Sequence, residues 1–121
     1  MAKNLKISVL YDFYGELLTE KQQEVIELYY NEDLSLAEIA AHSGITRQGV
    51  RDSIKRAECQ LTEFEQLLGL SERFQRINQS LEAIVQNAAE IDRINMRLYG
   101  SKEISDRVVG ITTLTHTIAE Q

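Results

Sequence analysis

The segment from Leu36 to Ala57 has a helical pattern of apolar residues that is interrupted at a glycine, Gly44. Just before this segment starts, Ser35 stands three residues ahead of Glu38, which is the spacing of a capping box at a helix N-terminus. Ala40 is small where a second helix would cross the first, and Gly44 can adopt the left-handed conformation that ends a helix at little cost. This pattern predicts two short helices that cross steeply over a tight turn, which is a helix-turn-helix.

The helix after this turn is predicted to begin at Thr46, whose hydroxyl can cap it. Val50 and Ile54 then lie on one side at helical spacing and are expected to face the first helix of the motif. Elsewhere, Thr19 and Gln22 form another capping box, and the chain contains no proline to interrupt a helix. We therefore predict an all-α helix-turn-helix bundle with a long C-terminal amphipathic helix.

That long helix is predicted from Leu70 onward, where apolar positions recur at alternating intervals of four and three residues. Such a seam can pack on α-helical neighbours of its own chain or pair with a second copy. We expect a homodimer, because helix-turn-helix proteins that read DNA usually use two recognition helices, and Asn95 on the seam would fix the register. The predicted dimerisation residues are Leu70, Phe74, Ile77, Leu81, Ile84, Ala88, Ile91, Asn95 and Leu98.

Three segments are predicted along the chain. Residues 1–69 form a helical domain that holds the helix-turn-helix, whose second helix starts at about residue 46. Residues 70–100 form the heptad-patterned helix, and residues 101–121 form a C-terminal tail that is a short helix or partly ordered. The tail is ambiguous because Ile104, Val108 and Ile111 fit a helix, whereas its many β-branched residues would also suit a strand.

Four basic residues follow the turn, on a chain whose formal net charge is -6. The N-terminal residues of a recognition helix face the major groove, where arginine can bind a guanine edge and glutamine an adenine edge. We therefore predict base contacts from Arg47, Gln48 and Arg51. The phosphate contacts are predicted at the helix cap and further along the helix: Thr46, Lys55 and Arg56.

The same charges have a second interpretation as a solvated surface that is partly paired with Asp52 and Glu58. The acidic net charge also opposes non-specific association with double-stranded DNA, which depends on phosphate neutralisation. In that case the surface would serve a protein or RNA partner instead.

Two resemblances bear on this choice. The run LTEKQQEVIELYYNEDLSLAEIAAHSGITRQGVRDSIKRA resembles region four of bacterial sigma factors, and residues 3 to 100 more closely resemble the YlxM-like family of helix-turn-helix proteins. Members of that family are encoded beside components of the bacterial signal recognition particle. The resemblance therefore implies either a DNA-binding regulator of that pathway or an accessory protein that binds the protein or RNA components of the particle.

The sigma-like pattern places its base contacts at Arg47, Gln48 and Arg51, but three positions depart from it. Gln48 replaces an acidic residue that is common there, Gly49 a longer side chain, and Asp52 a neutral amide. The carboxylate of Asp52 would repel phosphates and base acceptors, which argues against promoter-like specificity.

Other functions find little support in the sequence. It has no nucleophile beside a base and no glycine-rich phosphate loop, so we predict neither an enzyme nor a cofactor. His42 and His116 lack neighbouring ligands for a metal, and Cys59 is the only cysteine. No apolar run approaches the roughly 20 residues of a membrane span, and a cytoplasmic location is expected.

Overall fold

The computed structural model describes residues 3–120, which are helical apart from short connections and form no strand. The six α-helices are α1 Leu5–Tyr14, α2 Glu20–Ile26, α3 Leu36–Ser43, α4 Arg47–Leu68, α5 Leu70–Leu98 and α6 Lys102–Ala119. A 3₁₀ turn at Gly15–Leu17 follows α1, and a π-helical turn at Glu27–Asn31 follows α2. The predicted all-α fold with a helix-turn-helix and a long C-terminal helix is confirmed. The chain divides into two compact units, Met1–Ser71 and Glu72–Gln121.

The starts of the short helices are fixed by the side chains that the sequence indicated. The Thr19 hydroxyl accepts a hydrogen bond from the Gln22 N–H at 3.2 Å, and Gln22 Oε1 accepts one from the Thr19 N–H at 3.0 Å. Ser35 and Glu38 make the same reciprocal pair at the start of α3. Each pair satisfies N–H groups that have no partner inside the helix, so both helices begin where the capping boxes predict.

The core of the N-terminal unit is built around α4. Helices α1, α2 and α3 all pack on it, and its inward row of Val50, Ile54, Ala57 and Leu61 is fully buried. Burying a Val, Leu or Ile side chain stabilises a fold by about 1.5–3 kcal/mol, so this row is a main source of stability for the unit. The other helices contribute buried apolar side chains to the same cluster: Ile7, Tyr14, Leu18, Val25, Ile26, Tyr29, Ile39 and Ala40.

A buried tyrosine ties α1 to the end of α4. The Tyr14 hydroxyl donates to Glu65 Oε1 at 2.6 Å and accepts a hydrogen bond from the Leu70 N–H at 2.9 Å. Glu65 Oε1 also accepts from the Ser71 N–H at 3.0 Å. Burial, together with the adjacent carboxylate of Glu65, raises the pKa of Tyr14, so the phenol remains a neutral donor. This network anchors the chain where it passes the left-handed Gly69 between α4 and α5.

The C-terminal unit is a helical hairpin in which α6 returns along α5. Gly100 has a φ of 60° in the short turn, and the buried side chain of Asn95 holds that turn closed. Its Oδ1 accepts from the Ser101 N–H at 3.0 Å, and its Nδ2 donates to the Ser101 carbonyl at 2.8 Å and to the Ser105 hydroxyl at 3.1 Å. The Ser105 hydroxyl in turn donates to Asp92 at 2.9 Å. The sequence predicted that Asn95 fixes the register between two copies of the chain. In the structure its side chain is instead bonded to Ser101 and Ser105 of its own chain.

The helical state of Lys102–Ala119 follows from this hairpin. Leu81 and Ala88 on α5 and Val108 and Thr115 on α6 are buried at seven-residue spacing, so α6 covers an apolar row of α5. The tertiary contact outweighs the β-branched composition of the tail, because a helix presents Val108 and Thr115 on one side and a strand would not.

Gly44 provides a test of the turn. Replacing it with alanine should lower the free energy of unfolding by about 1–2 kcal/mol, because a Cβ is disfavoured at a φ of 70° even though it would meet nothing within 4 Å. Urea denaturation measures the change. Gly110→Ala is the control, since this glycine has ordinary helical dihedrals inside α6 and the exchange should stabilise by about 0.5–1 kcal/mol. Equal effects of the two substitutions would contradict the role of the left-handed turn.

The Asn95 network gives a second prediction. Asn95→Ala should destabilise the hairpin by about 2 kcal/mol, because it leaves the Ser101 backbone groups without their partner. Asn87→Ala, at an exposed position of the same helix, should change the stability by less than about 0.5 kcal/mol. Hydrogen exchange of the amides in α5 and α6 reports the hairpin separately from the N-terminal unit. Unchanged protection in Asn95→Ala would show that the network is dispensable.

Candidate nucleic-acid interface

The turn between α3 and α4 has the geometry that the sequence predicts. Gly44 has a φ of 70°, and its N–H donates to the Ala40 carbonyl at 2.9 Å. The Ile45 N–H reaches the same carbonyl at 3.3 Å. The Thr46 hydroxyl then accepts from the Gly49 N–H at 3.0 Å, which caps α4. A tight left-handed turn therefore separates the two helices of the motif.

The orientation of α4 sends its basic side chains to the surface. Val50, Ile54 and Ala57 are fully buried against the other helices. Since the helix has 3.6 residues per turn, burying this row turns the intervening positions outward. The predicted contact residues are all exposed, and they occupy the first three turns of the helix and its cap: Thr46, Arg47, Gln48, Arg51, Lys55 and Arg56.

The two acidic residues of this segment have partners other than the basic ones. Asp52 Oδ1 accepts a hydrogen bond from Gln48 Nε2 at 2.9 Å, and Glu58 Oε1 accepts one from the Tyr30 hydroxyl at 2.7 Å. Burial, with the Glu58 carboxylate as a further cause, raises the pKa of Tyr30 to about 12, so this hydroxyl remains a donor at neutral pH. Glu58 is thereby drawn toward the π-helical turn that carries Tyr30.

The basic side chains are consequently not neutralised by ion pairs. Within residues 3–120, no carboxylate lies within 4 Å of the charged groups of Arg47, Arg51, Lys55 or Arg56. The pairing with Asp52 and Glu58 that a merely solvated surface would favour is not formed. Four positive charges are therefore available to a ligand on one helix.

A surface cleft lies beside this helix, where the N-termini of α3 and α4 come together. Its volume is about 620 Å³. The N-terminal turn of a helix offers free N–H groups and a partial positive charge, and Arg47 and Arg51 add two full charges to the same cleft. The cleft therefore combines features that bind a phosphate group. Its lining residues are Ser35, Leu36, Ala37, Thr46, Arg47, Gln48 and Arg51.

The contribution of α3 to this cleft is a feature that reasoning from the sequence missed. The capping box at Ser35 and Glu38 indicated where α3 begins, but not that this end lies beside Arg47 and Arg51. The crossing of the two helices decides that proximity. Gln48, by contrast, is at the predicted surface, but its amide is bound to Asp52 and must leave that partner to bind a base.

The described part of the chain holds neither a metal site nor a membrane-spanning helix. Among residues 3–120, no group of three His, Cys, Asp or Glu side chains could hold a metal ion. The Nε2 atom of His42 on α3 lies instead 3.3 Å from Oε1 of Glu24 on α2. Over the same residues, no helix has the combination of length and apolar content that a membrane crossing requires.

Comparison with known proteins agrees with this geometry. Residues 1–99 match the family model UPF0122, described as "Putative helix-turn-helix protein, YlxM / p13 like". The UPF0122 protein of Desulforamulus reducens is 54% identical over 80 residues, which cover 66% of this chain and 68% of that protein. The UPF0122 protein of Clostridium kluyveri is 44% identical over 103 residues, covering 78% and 93% of the two chains. That of Acetivibrio thermocellus is 45% identical over 103 residues, covering 84% and 87%.

The match to the family model includes the whole of the turn, the cleft and the basic side chains of α4, since all lie within residues 1–99. With the left-handed turn and the crossing helices, the matches identify the chain: it belongs to the UPF0122 family of YlxM-like helix-turn-helix proteins.

Proposed function

We propose that this protein is a DNA-binding regulator that places the first half of α4 in the major groove of double-stranded DNA. The observation that carries the proposal is the set of four exposed basic side chains that lack acidic partners directly after a left-handed turn. A recognition helix needs this arrangement, because its first turns must reach base edges while its buried row holds it on the domain.

The contacts divide by position along the helix. Arg47, Gln48 and Arg51 occupy the first turn and a half, which enters the groove and reads bases. Lys55 and Arg56 lie further along and bind phosphates, as does the capped N-terminus at Thr46. The cleft between α3 and α4 supports this division, because it offers a phosphate the free N–H groups of two helix starts.

The charge of the whole chain restricts how DNA can bind. With a net charge of -6, the protein is repelled by DNA except at the basic surface of α4. Binding should therefore depend on a few charged contacts and fall steeply with salt. A pathway for such a regulator is suggested by the family resemblance, which points to the signal recognition particle. The cytoplasm is the expected location.

A second candidate function is that of an accessory protein that binds RNA or protein components of the signal recognition particle. The specific observation in its favour is Asp52, which is exposed on the same surface of α4 and opposes the approach of a base acceptor or phosphate. An RNA partner would use the same basic residues, whereas a protein partner could use the acidic ones as well.

The first test removes the proposed base readers. Arg47→Ala with Arg51→Ala should weaken binding to a duplex selected by the protein from a randomised pool by about 1–3 kcal/mol for each arginine. Fluorescence anisotropy at two salt concentrations measures this loss. Lys6→Ala with Lys21→Ala is the matched control, because it removes two exposed charges from α1 and α2 and leaves α4 intact.

The outcomes separate the two candidate functions. DNA binding that is equally feeble in the native protein and the double variant would contradict the reader function. Recovery of signal recognition particle RNA or protein by the native chain, with loss in the same variant, would then support the accessory function. A loss of DNA affinity in the control pair as large as in the arginine pair would also contradict the proposal, since it would reflect overall charge.

A second test adds affinity instead of removing it. Asp52→Asn should strengthen DNA binding by roughly 3- to 10-fold, because it removes a repelling charge and weakens the acceptor that holds Gln48. Glu63→Gln is the control, since it makes the same charge change on an exposed position of α4 about three turns further on. The same anisotropy assay measures both. An affinity for DNA that is unchanged in Asp52→Asn would count directly against the groove contact.

A further inference from the structure

The C-terminal hairpin uses only one of its two apolar rows internally. Leu81, Ala88 and Asn95 are buried at seven-residue spacing on α5, and Val108 and Thr115 are buried in the same way on α6. A second row follows three residues after each buried position, and its side chains remain 37 to 60% exposed. We name this second row the isoleucine face: Ile77, Ile84, Ile91 and Leu98 on α5, and Ile104, Ile111 and Ile118 on α6.

The two halves of this row lie on the same side of the hairpin. A step of three residues in an α-helix rotates a side chain to about 60° from the starting direction. When two antiparallel helices face each other through their buried rows, this 60° rotation turns the side chains of both helices toward the same side of the hairpin. The isoleucine face is therefore one continuous surface along the hairpin and not two separate stripes.

The positions that border the isoleucine face hold a mixture of charged, polar and apolar residues. They are Arg73, Ser80, Asn87 and Ile94 on α5, and Arg107 and Leu114 on α6. An apolar centre with a rim that is partly polar and charged is the composition of a protein interface.

We infer that the isoleucine face is the interface between two copies of this chain, which pair their hairpins into a four-helix bundle. The seven side chains expose on the order of 600 Å² per chain, compared with about 800 Å² per partner in a standard interface that includes its polar rim. A two-fold bundle matches the face to itself, and the heptad spacing on both helices supplies repeated layers of isoleucine.

This inference goes beyond the proposed function and does not depend on DNA binding. The interface inferred here also differs from the dimerisation seam that the sequence predicted along α5. Leu81, Ala88 and Asn95 are used inside the chain, whereas α6, which lies outside the family match over residues 1–99, supplies three of the interface residues.

Sedimentation velocity on the full chain tests the inference. The native protein should sediment with twice the chain mass of 13.8 kDa at micromolar concentration. Ile91→Lys with Ile111→Lys should raise the dissociation constant of the dimer by about 100-fold or more, because it places charges in the centre of the interface. Ala89→Lys with Val109→Lys is the matched control, since it adds the same charges to exposed positions of the same helices on the opposite side and should leave the dimer intact.

Circular dichroism verifies that each variant keeps its helical content, and Ile91→Ser with Ile111→Ser replaces the lysine pair if that pair loses helix. A native chain that remains monomeric at tens of micromolar would overturn the inference and leave the face to a different protein. Equal dissociation of the two lysine pairs would overturn it as well. DNA affinity plays no part in these readings, so the pairing of the hairpins and the DNA-binding function can fail independently.

Discussion

The burial of one side of α4 is the constraint on which the N-terminal unit depends. Val50, Ile54, Ala57 and Leu61 are all fully buried, and the three preceding helices pack on this row. A helix cannot rotate about its axis without exposing such a row, at a cost of several kcal/mol. The outward direction of Arg47 and Arg51 is therefore a consequence of core packing. The same packing brings the start of α3 beside these arginines, so stability and the candidate site have one origin.

Hydrogen bonds outside the motif determine the charge that this surface presents. Glu58 follows the basic residues closely in the sequence, yet its carboxylate accepts a hydrogen bond from Tyr30, which belongs to the π-helical turn after α2. The Glu58 carboxylate is therefore hydrogen-bonded to the rest of the N-terminal unit and forms no ion pair with the arginines of α4. Asp52 differs, because its partner Gln48 belongs to the same surface. Its carboxylate remains exposed there and opposes the four basic side chains.

The heptad pattern of α5 shows how one periodic signal can serve two contacts. Its two apolar rows are equivalent in sequence, but α6 covers the row that contains Leu81, Ala88 and Asn95 and leaves the other half-exposed. Asn95 illustrates the ambiguity most clearly. A polar residue on such a seam is typical of pairing between copies, whereas here its amide closes the turn at Ser101.

The sequence by itself determined the local structure: Thr19, Ser35 and Thr46 start their helices, Gly44 makes the turn, and Val50 and Ile54 face inward. These features depend on contacts within a few residues, which spacing and residue type report directly. Only the tertiary structure decided that the C-terminal tail is a helix, which row of α5 it covers, and that Glu58 binds Tyr30. These outcomes depend on contacts between distant segments, and a helical periodicity carries no information about which distant partner will cover an apolar row.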